Sequence, residues 1–159
     1  MKYWDEVLFP EVLTLIRGER YLTMSDRQIA DELIALAKQA ISTFLFPTVS
    51  LEYAYEEDDD NVAFPKRYYF LKDPEDREIA ILIAWMEFYW CKLIVSNSDN
   101  FNNVYFDSNI KSFSPGNVLH NYRTLMYHYR DEARRLESRY YRADDGNGAP
   151  GIGGTIDDD

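Results

Sequence analysis

Apolar residues between positions 26 and 44 recur every three or four residues, which is the spacing of an amphipathic helix. The stripe begins at Ile29 and ends at Phe44, and most charged residues lie off it. Ser25 precedes the stripe and Gln28 follows three residues later, which is the arrangement of a capping box. Because Pro47 disfavours helical conformation in the residue before it, we predict that this helix stops before Pro47. A shorter helix is predicted from about residue 10 to residue 17.

A second helical stripe runs near the end of the chain, from Val118 to Tyr140. Ser114 is placed to cap this helix and Pro115 to occupy its first position. Between Arg130 and Arg142 the chain has five Arg against three acids, and the apolar stripe thins. This half is either an arm that contacts another molecule or an ordinary helix end with favourable cations. The candidate partner-binding residues are Arg134, Arg135, Arg139, Tyr140, Tyr141 and Arg142.

Residues 49–56 alternate between apolar and polar side chains, which is the period of a half-exposed strand. The run KRYYFL at 66–71 is a candidate partner strand, so we predict an inserted hairpin within 48–72. The charged loop EEDDDN lacks the ligand spacing and the glycine of an EF-hand, which favours a solvated loop over a metal site. A lone hairpin is marginal in water and must pack on helices or pair with another chain. In the second case Tyr53 and Tyr55 are candidate subunit-interface residues.

The segment from Ile79 to Val95 is almost entirely apolar. It contains Glu87 and Lys92, each of which costs about 3 kcal/mol at the centre of a bilayer, so we predict no membrane crossing. Asp73 is predicted to cap this helix and Pro74 to take its first position. A helix that is apolar nearly all round must be covered by protein, either in the core of its own domain or by neighbouring subunits. The subunit-interface candidates on it are Trp85, Phe88 and Trp90.

The composition of the 159 residues bounds the class of protein. The length predicts a single helical domain over 1–143, followed by a flexible, acidic, Gly-rich tail over 144–159. The formal net charge of -11 disfavours a general nucleic-acid binder, because phosphates require a positive surface. The single cysteine, Cys91, excludes an internal disulfide and fits a reducing compartment. The N-terminus lacks the uninterrupted apolar centre of a signal peptide. The predicted fold class is therefore mainly α, a small helical bundle with a long C-terminal helix, an inserted hairpin and a disordered tail.

Local motifs for chemistry are sparse. His120 and His128 are eight residues apart on one predicted helix, too far to share a metal without other ligands. Cys91 lies in the apolar segment, where a small buried hydrophobe is the common role. The chain has no P-loop, dinucleotide-binding glycine pattern or nucleophile elbow. We therefore expect no enzyme activity, no catalytic or metal site and no cofactor, although an active site that has no local motif stays an open alternative.

The second half of the chain resembles the head–tail connector proteins of tailed bacteriophages, which are also called neck, adaptor or head-completion proteins. The resemblance rests on three segments. These are the acid-led apolar helix DPEDREIAILIAWMEFYWCKLIVSN with Trp85 and Trp90, the helix entry KSFSPGNVLHNY, and the helical run EARRLESRYY.

This resemblance implies a helical bundle that assembles into a homo-oligomeric ring, commonly of twelve subunits, beneath the portal protein. DNA would pass through the ring without sequence-specific binding. The final helix and the tail would dock on the portal, and the hairpin would face the next neck or tail-completion protein or the neighbouring subunit. The expected location is the neck of the virion, after synthesis in the host cytoplasm. The alternative hypothesis is a small acidic inhibitor that mimics DNA, which the net charge and the EEDDD loop favour.

Overall fold

The computed structural model describes residues 1–17, 24–58, 60–61, 65–96 and 115–144, with side chains of the last segment described from 119 to 143. Within these residues the chain is mostly helical, and the predicted fold class is confirmed. Ser114, Gly18 and the predicted tail from residue 145 onward lie outside the described residues. The elements in chain order are α1 Trp4–Val7, α2 Phe9–Arg17, α3 Asp26–Thr43, β1 Tyr53–Glu57, β2 Lys66–Phe70, α4 Asp76–Ser96 and α5 Pro115–Asp144.

The start of α3 follows the predicted capping box. The Ser25 hydroxyl accepts a hydrogen bond from the Gln28 backbone N–H, and the Gln28 side chain accepts one from the Ser25 N–H. The helix ends at Thr43, before Pro47, as its sequence predicts. The buried face of α3 packs against α4.

Helix α4 lies at the centre of the bundle and contacts α2, α3 and α5. By length and composition alone it could cross a membrane, but half of its most apolar window is buried inside this protein. Core helices pass the same test, and three helices of its own chain pack against it. Its buried residues are Glu78, Ile81, Leu82, Ile83, Ala84, Trp85, Met86, Trp90, Cys91 and Ile94.

The hairpin packs on the N-terminus of its own chain. Strands β1 and β2 pair antiparallel, with Tyr53 opposite Phe70. Tyr3 forms a single β-bridge with Tyr69 on the other side of β2, so the N-terminal residues border that strand. The fully buried Trp4 lies against the hairpin, with its ring stacked on Tyr68 at a centroid distance of 4.9 Å. The hairpin thus has a packing partner within one chain.

The start of α4 differs from the prediction. Asp73 does not cap the helix, which begins at Asp76, and its carboxylate instead pairs with the N-terminal amine of Met1 at 3.0 Å. That amine holds the pKa of Asp73 below its ordinary value. The first helical hydrogen bond runs from the Ile79 N–H to the Glu75 carbonyl. The Glu78 carboxylate then accepts the Glu75 N–H at 2.9 Å, so a residue inside the helix supplies the cap.

Candidate functional site

The predicted partner-binding residues are divided between the surface and the core. Arg134, Arg135, Arg139 and Arg142 are exposed on α5, and Tyr141 is half-buried. Arg135 forms an ion pair with Glu132 on the same helix.

Tyr140 is buried in the core, which leaves little of its side chain exposed for a partner to contact. Its hydroxyl donates to the Glu78 carboxylate at 2.6 Å and accepts the Thr48 backbone N–H at 2.6 Å. Its ring packs edge-on against Phe44. Burial raises the pKa of Tyr140, and the hydrogen bond to Glu78 adds to the rise. Tyr140 thus fastens the end of α5 to α4 and to the residues after α3.

An exposed apolar patch lies beside Tyr141, at the C-terminal end of α5. Leu45 and Phe46 follow α3 and are 71% and 72% exposed. The rings of Phe46 and Tyr141 are 6.4 Å apart. We call Leu45, Phe46, Tyr141 and Arg142 the end patch. Sequence analysis missed Leu45 and Phe46, because two apolar residues after a helix do not reveal whether they are covered.

A cationic and aromatic stripe follows the outer face of α5. It consists of Arg123, Tyr127, Arg130 and Arg134, spaced four, three and four residues apart, which places them on one side of a helix. Tyr127 is 51% exposed, and the Arg130 guanidinium lies 5.0 Å from the centre of its ring. Arg130 also pairs with Asp131 at 3.0 Å, whereas Arg123 and Arg134 form no ion pair with the described residues. These four residues are the outer stripe.

An open groove of about 380 Å³ lies on the other side of α5, where that helix meets α2 and α4. Its floor is apolar and contains the small side chains of Ala80 and Ala84. On α4 the groove residues follow helical spacing from Asp76 to Glu87, so they form one face of the helix. The carboxylates that line this acidic groove belong to Glu11, Asp76, Glu87 and Glu132.

The four carboxylates differ in their environments. Asp76 pairs with Lys2 at 3.0 Å, and the hydrogen bond from Arg135 lowers the pKa of Glu132. Glu87 forms no ion pair with the described residues. Burial raises its pKa from 4.5 to about 7, and the negative charge of Glu11 contributes to the rise. The groove therefore holds one carboxylate whose charge is costly near neutral pH.

At about pH 8 we expect the free energy of unfolding of the Glu87→Gln variant to exceed that of the wild type by on the order of 1–2 kcal/mol. The folded Glu87 carboxyl binds its proton more tightly than the unfolded one, so its stabilising contribution is present below pH 4.5 and is lost as the pH rises through about 7. Urea unfolding of both proteins at several pH values measures the difference. An equal gap between the two proteins at all pH values would contradict a raised pKa.

The predicted subunit-interface residues also fall into two groups. Trp90 is fully buried, and the Trp85 indole N–H donates to Glu137 on α5 at 2.8 Å. Both indoles pack within their own chain, which leaves little of either side chain for a neighbouring subunit to contact. Phe88 is half-buried, and Tyr53 and Tyr55 are exposed on β1. These last three side chains stay interface predictions.

Metal and nucleophile chemistry has little support in the described part of the chain. No group of three or more His, Cys, Asp or Glu in that part is placed to hold a metal ion. Cys91 is buried in α4, and His120 and His128 are exposed on α5. The described residues offer three surface features instead, the end patch, the outer stripe and the acidic groove, which are candidate binding surfaces.

Comparison with known proteins gives no relative from which a role can be transferred, since no protein-family model, curated protein or solved structure matches this chain.

Proposed function

We propose that this chain is a structural assembly protein, a subunit of a head–tail connector ring that joins the portal of a tailed bacteriophage to its tail. The sequence resemblance of its second half motivates the proposal. The observation that carries it is the end patch, an exposed aromatic and cationic surface at the tip of a 30-residue helix.

The composition of the end patch suits a protein partner. Phe46 and Tyr141 offer large apolar contact areas, and Arg142, the residue after Tyr141, adds an exposed cation. Tyr and Arg are enriched among the residues that dominate binding energy at protein interfaces. Arg139 is exposed one turn before Arg142, and neither forms an ion pair with the described residues. A partner that docks here supplies a hydrophobic pocket and carboxylates, and the proposal assigns that surface to the portal.

The end patch is held in a defined position. Tyr140, next to Tyr141, is tied to Glu78 at the start of α4, which fixes the tip of α5 against the bundle. A preorganised surface loses less conformational entropy on binding than a mobile one does. This anchoring supports a role in docking.

The net charge of the chain fits a DNA conduit. With a formal charge of -11, the chain repels the phosphates of a passing duplex, so DNA moves without being held. The acidic composition also motivates a second candidate, an inhibitor that occupies the cationic cleft of a nucleic-acid enzyme. The Arg-rich outer stripe opposes that candidate, because a DNA mimic presents acids without interspersed cations.

We expect the double variant Arg139→Glu/Arg142→Glu to lose portal binding by roughly 100-fold or more while it keeps its fold. Both side chains are exposed, so reversal of their charges removes attraction without disturbing the core. The measurement is the mass of the protein alone and mixed with a purified portal ring, supported by circular dichroism of each variant.

The control for this experiment is Arg27→Glu/Lys72→Glu, which changes the net charge equally at exposed positions outside α5. Undiminished portal binding by the Arg139→Glu/Arg142→Glu variant contradicts docking through the tip of α5. A wild-type chain that ignores the portal ring altogether contradicts the connector function itself.

A further inference from the structure

We infer that the outer stripe of one copy docks in the acidic groove of a second copy, so that the chains associate head to tail. This inference deepens the proposed function, because it rests on the chain being a ring subunit and names the contact that joins neighbouring subunits.

The two surfaces lie on opposite sides of the same helix. Glu132 lines the acidic groove and Arg134 belongs to the outer stripe. Residues two positions apart on an α-helix point roughly 200° apart around its axis. The buried face of α5, which includes Ala133, lies between them against the bundle. One copy can therefore hold one neighbour on each side.

The charges of the two surfaces are complementary along their length. Asp76 and Glu87 stand at the two ends of the groove face of α4, and Arg123 and Arg134 stand at the two ends of the outer stripe. Each pair is separated by 11 positions on a helix, which corresponds to roughly 16 Å along the axis. Asp76 is paired with Lys2 at 3.0 Å, but its side chain is 98% exposed and its second oxygen can accept another cation. An arginine at each end of the stripe can thus meet Asp76 at one end of the groove and Glu87 at the other.

The apolar centres of the two surfaces also match. Between its acids the groove floor carries Ala80 and Ala84, whose small side chains leave room for a ring. Between its arginines the stripe carries Tyr127, which is 51% exposed. A tyrosine that enters such a depression buries apolar area and keeps its hydroxyl near the rim. The stripe thus fits the groove both in charge and in shape.

Groups on both surfaces lack a counter-charge among the described residues of their own chain. Glu87 in the groove and Arg123 and Arg134 in the stripe form no ion pair with the described residues. Glu11, on α2, adds a second negative charge beside Glu87. A cation from another copy relieves this repulsion, whereas a second acidic groove does not. The contact is therefore between unlike surfaces, and such heterologous contacts generate closed rings or open filaments.

Two variants separate this arrangement from other modes of association. The groove variant is Glu11→Lys/Glu87→Gln, and the stripe variant is Arg123→Glu/Arg134→Glu. Each variant keeps one intact surface. We expect wild-type chains to associate in a concentration-dependent manner, and each variant alone to associate roughly 100-fold more weakly.

A mixture of the two variants gives the decisive result. The intact stripe of the groove variant meets the intact groove of the stripe variant, so we expect a one-to-one complex that does not grow further. Sedimentation velocity and native mass spectrometry measure its mass. The control is Arg27→Glu/Lys72→Glu, which carries the same charge change as the stripe variant and is expected to associate like the wild type. Circular dichroism and thermal unfolding verify that every variant is folded.

Three outcomes overturn the inference. They are a wild type that stays monomeric at the highest concentration reached, folded variants that associate as the wild type does, and a mixture that forms no complex. In the second case the chains associate through a different surface, which is compatible with a ring subunit, so the proposed function survives. Conversely, a positive mixing result together with no binding to a portal ring leaves the head-to-tail contact standing and removes the connector function.

Discussion

Replacement of Trp4 by alanine is expected to lower the free energy of unfolding by about 3–5 kcal/mol. Trp4 is fully buried, and its ring is surrounded by aromatic neighbours from α2 and the hairpin. Removal of the indole leaves a cavity that backbone relaxation fills only in part. Urea or thermal unfolding of purified wild type and variant measures the change. The neighbouring rings are Phe9, Tyr53, Tyr68 and Phe70, at centroid distances of 6.5, 4.7, 4.9 and 5.8 Å.

The hairpin should lose more protection than the helices in the Trp4→Ala variant. A two-stranded hairpin needs a packing partner in water, and Trp4 provides the buried centre of that contact. Hydrogen exchange should therefore speed up at the amides of β2 before it does at those of α4. Equal exchange rates of the β2 amides in the wild type and the variant would show that the hairpin is stable without Trp4.

The control for this prediction is Trp4→Phe. The Trp4 indole N–H has no hydrogen-bond partner among the described residues, so phenylalanine leaves no new buried donor or acceptor. We expect this variant to lose less than half as much stability as Trp4→Ala. A loss in Trp4→Phe as large as in Trp4→Ala contradicts an effect that arises from packing volume.

Replacement of Glu78 by alanine is the second large effect, with an expected loss of about 3–5 kcal/mol in the free energy of unfolding. The Glu78 carboxylate is fully buried and accepts three hydrogen bonds. They come from the Glu75 N–H at 2.9 Å, the Val49 N–H at 3.2 Å and the Tyr140 hydroxyl at 2.6 Å. The alanine variant strands these donors, and a buried donor without a partner costs about 1–3 kcal/mol. Chemical denaturation measures the loss.

Two variants test whether the hydrogen bonds at Glu78 account for the effect. Glu78→Gln retains the size and one acceptor oxygen, so we expect a smaller loss than in Glu78→Ala. Tyr140→Phe removes only the hydroxyl and should cost less again. The double variant Glu78→Gln/Tyr140→Phe should lose less stability than the sum of the two single losses, because both side chains share one hydrogen bond. Additive losses indicate that Glu78 and Tyr140 act independently.

The hydrogen bonds that Glu78 accepts from Glu75, Val49 and Tyr140, here called the Glu78 cluster, bear on function as well as on stability. The cluster joins the start of α4, the chain after α3 and the end of α5, which is where the end patch begins. Loss of the cluster should therefore weaken portal docking even though no member of the end patch is changed. Because Glu78 itself is buried, such a loss measures how far docking depends on the position of the α5 tip.

Local patterns predicted the secondary structure with good accuracy. The capping box of Ser25 and Gln28 marks the start of α3, and the helix ends at Thr43, before Pro47. The alternation around Tyr53 and the run KRYYFL mark the two strands. These signals are reliable because caps, proline and side-chain periodicity act over only a few residues. A short stretch of sequence therefore contains all the residues involved.

Local reasoning failed where the partner of a residue is distant in sequence. Asp73 has the position and chemistry of a helix cap, yet it pairs with the amine of Met1, and Glu78 supplies the cap. Trp90 and Tyr140 have the composition of an interface, yet both are buried in the core. An aromatic residue has the same local pattern in either setting, so only the packing of neighbouring helices decides between them.

By itself the sequence determined that this protein is a mainly helical bundle with a hairpin and a long, Arg-rich final helix. It did so because hydrophobic periodicity and capping chemistry depend on neighbouring residues. Only the tertiary structure decided that α4 packs against three helices of its own chain, that Leu45 and Phe46 are exposed beside Tyr141, and that an acidic groove lies opposite the outer stripe. Burial, exposure and the meeting of charges from α2, α4 and α5 depend on distances between residues far apart in the chain, which no local pattern specifies.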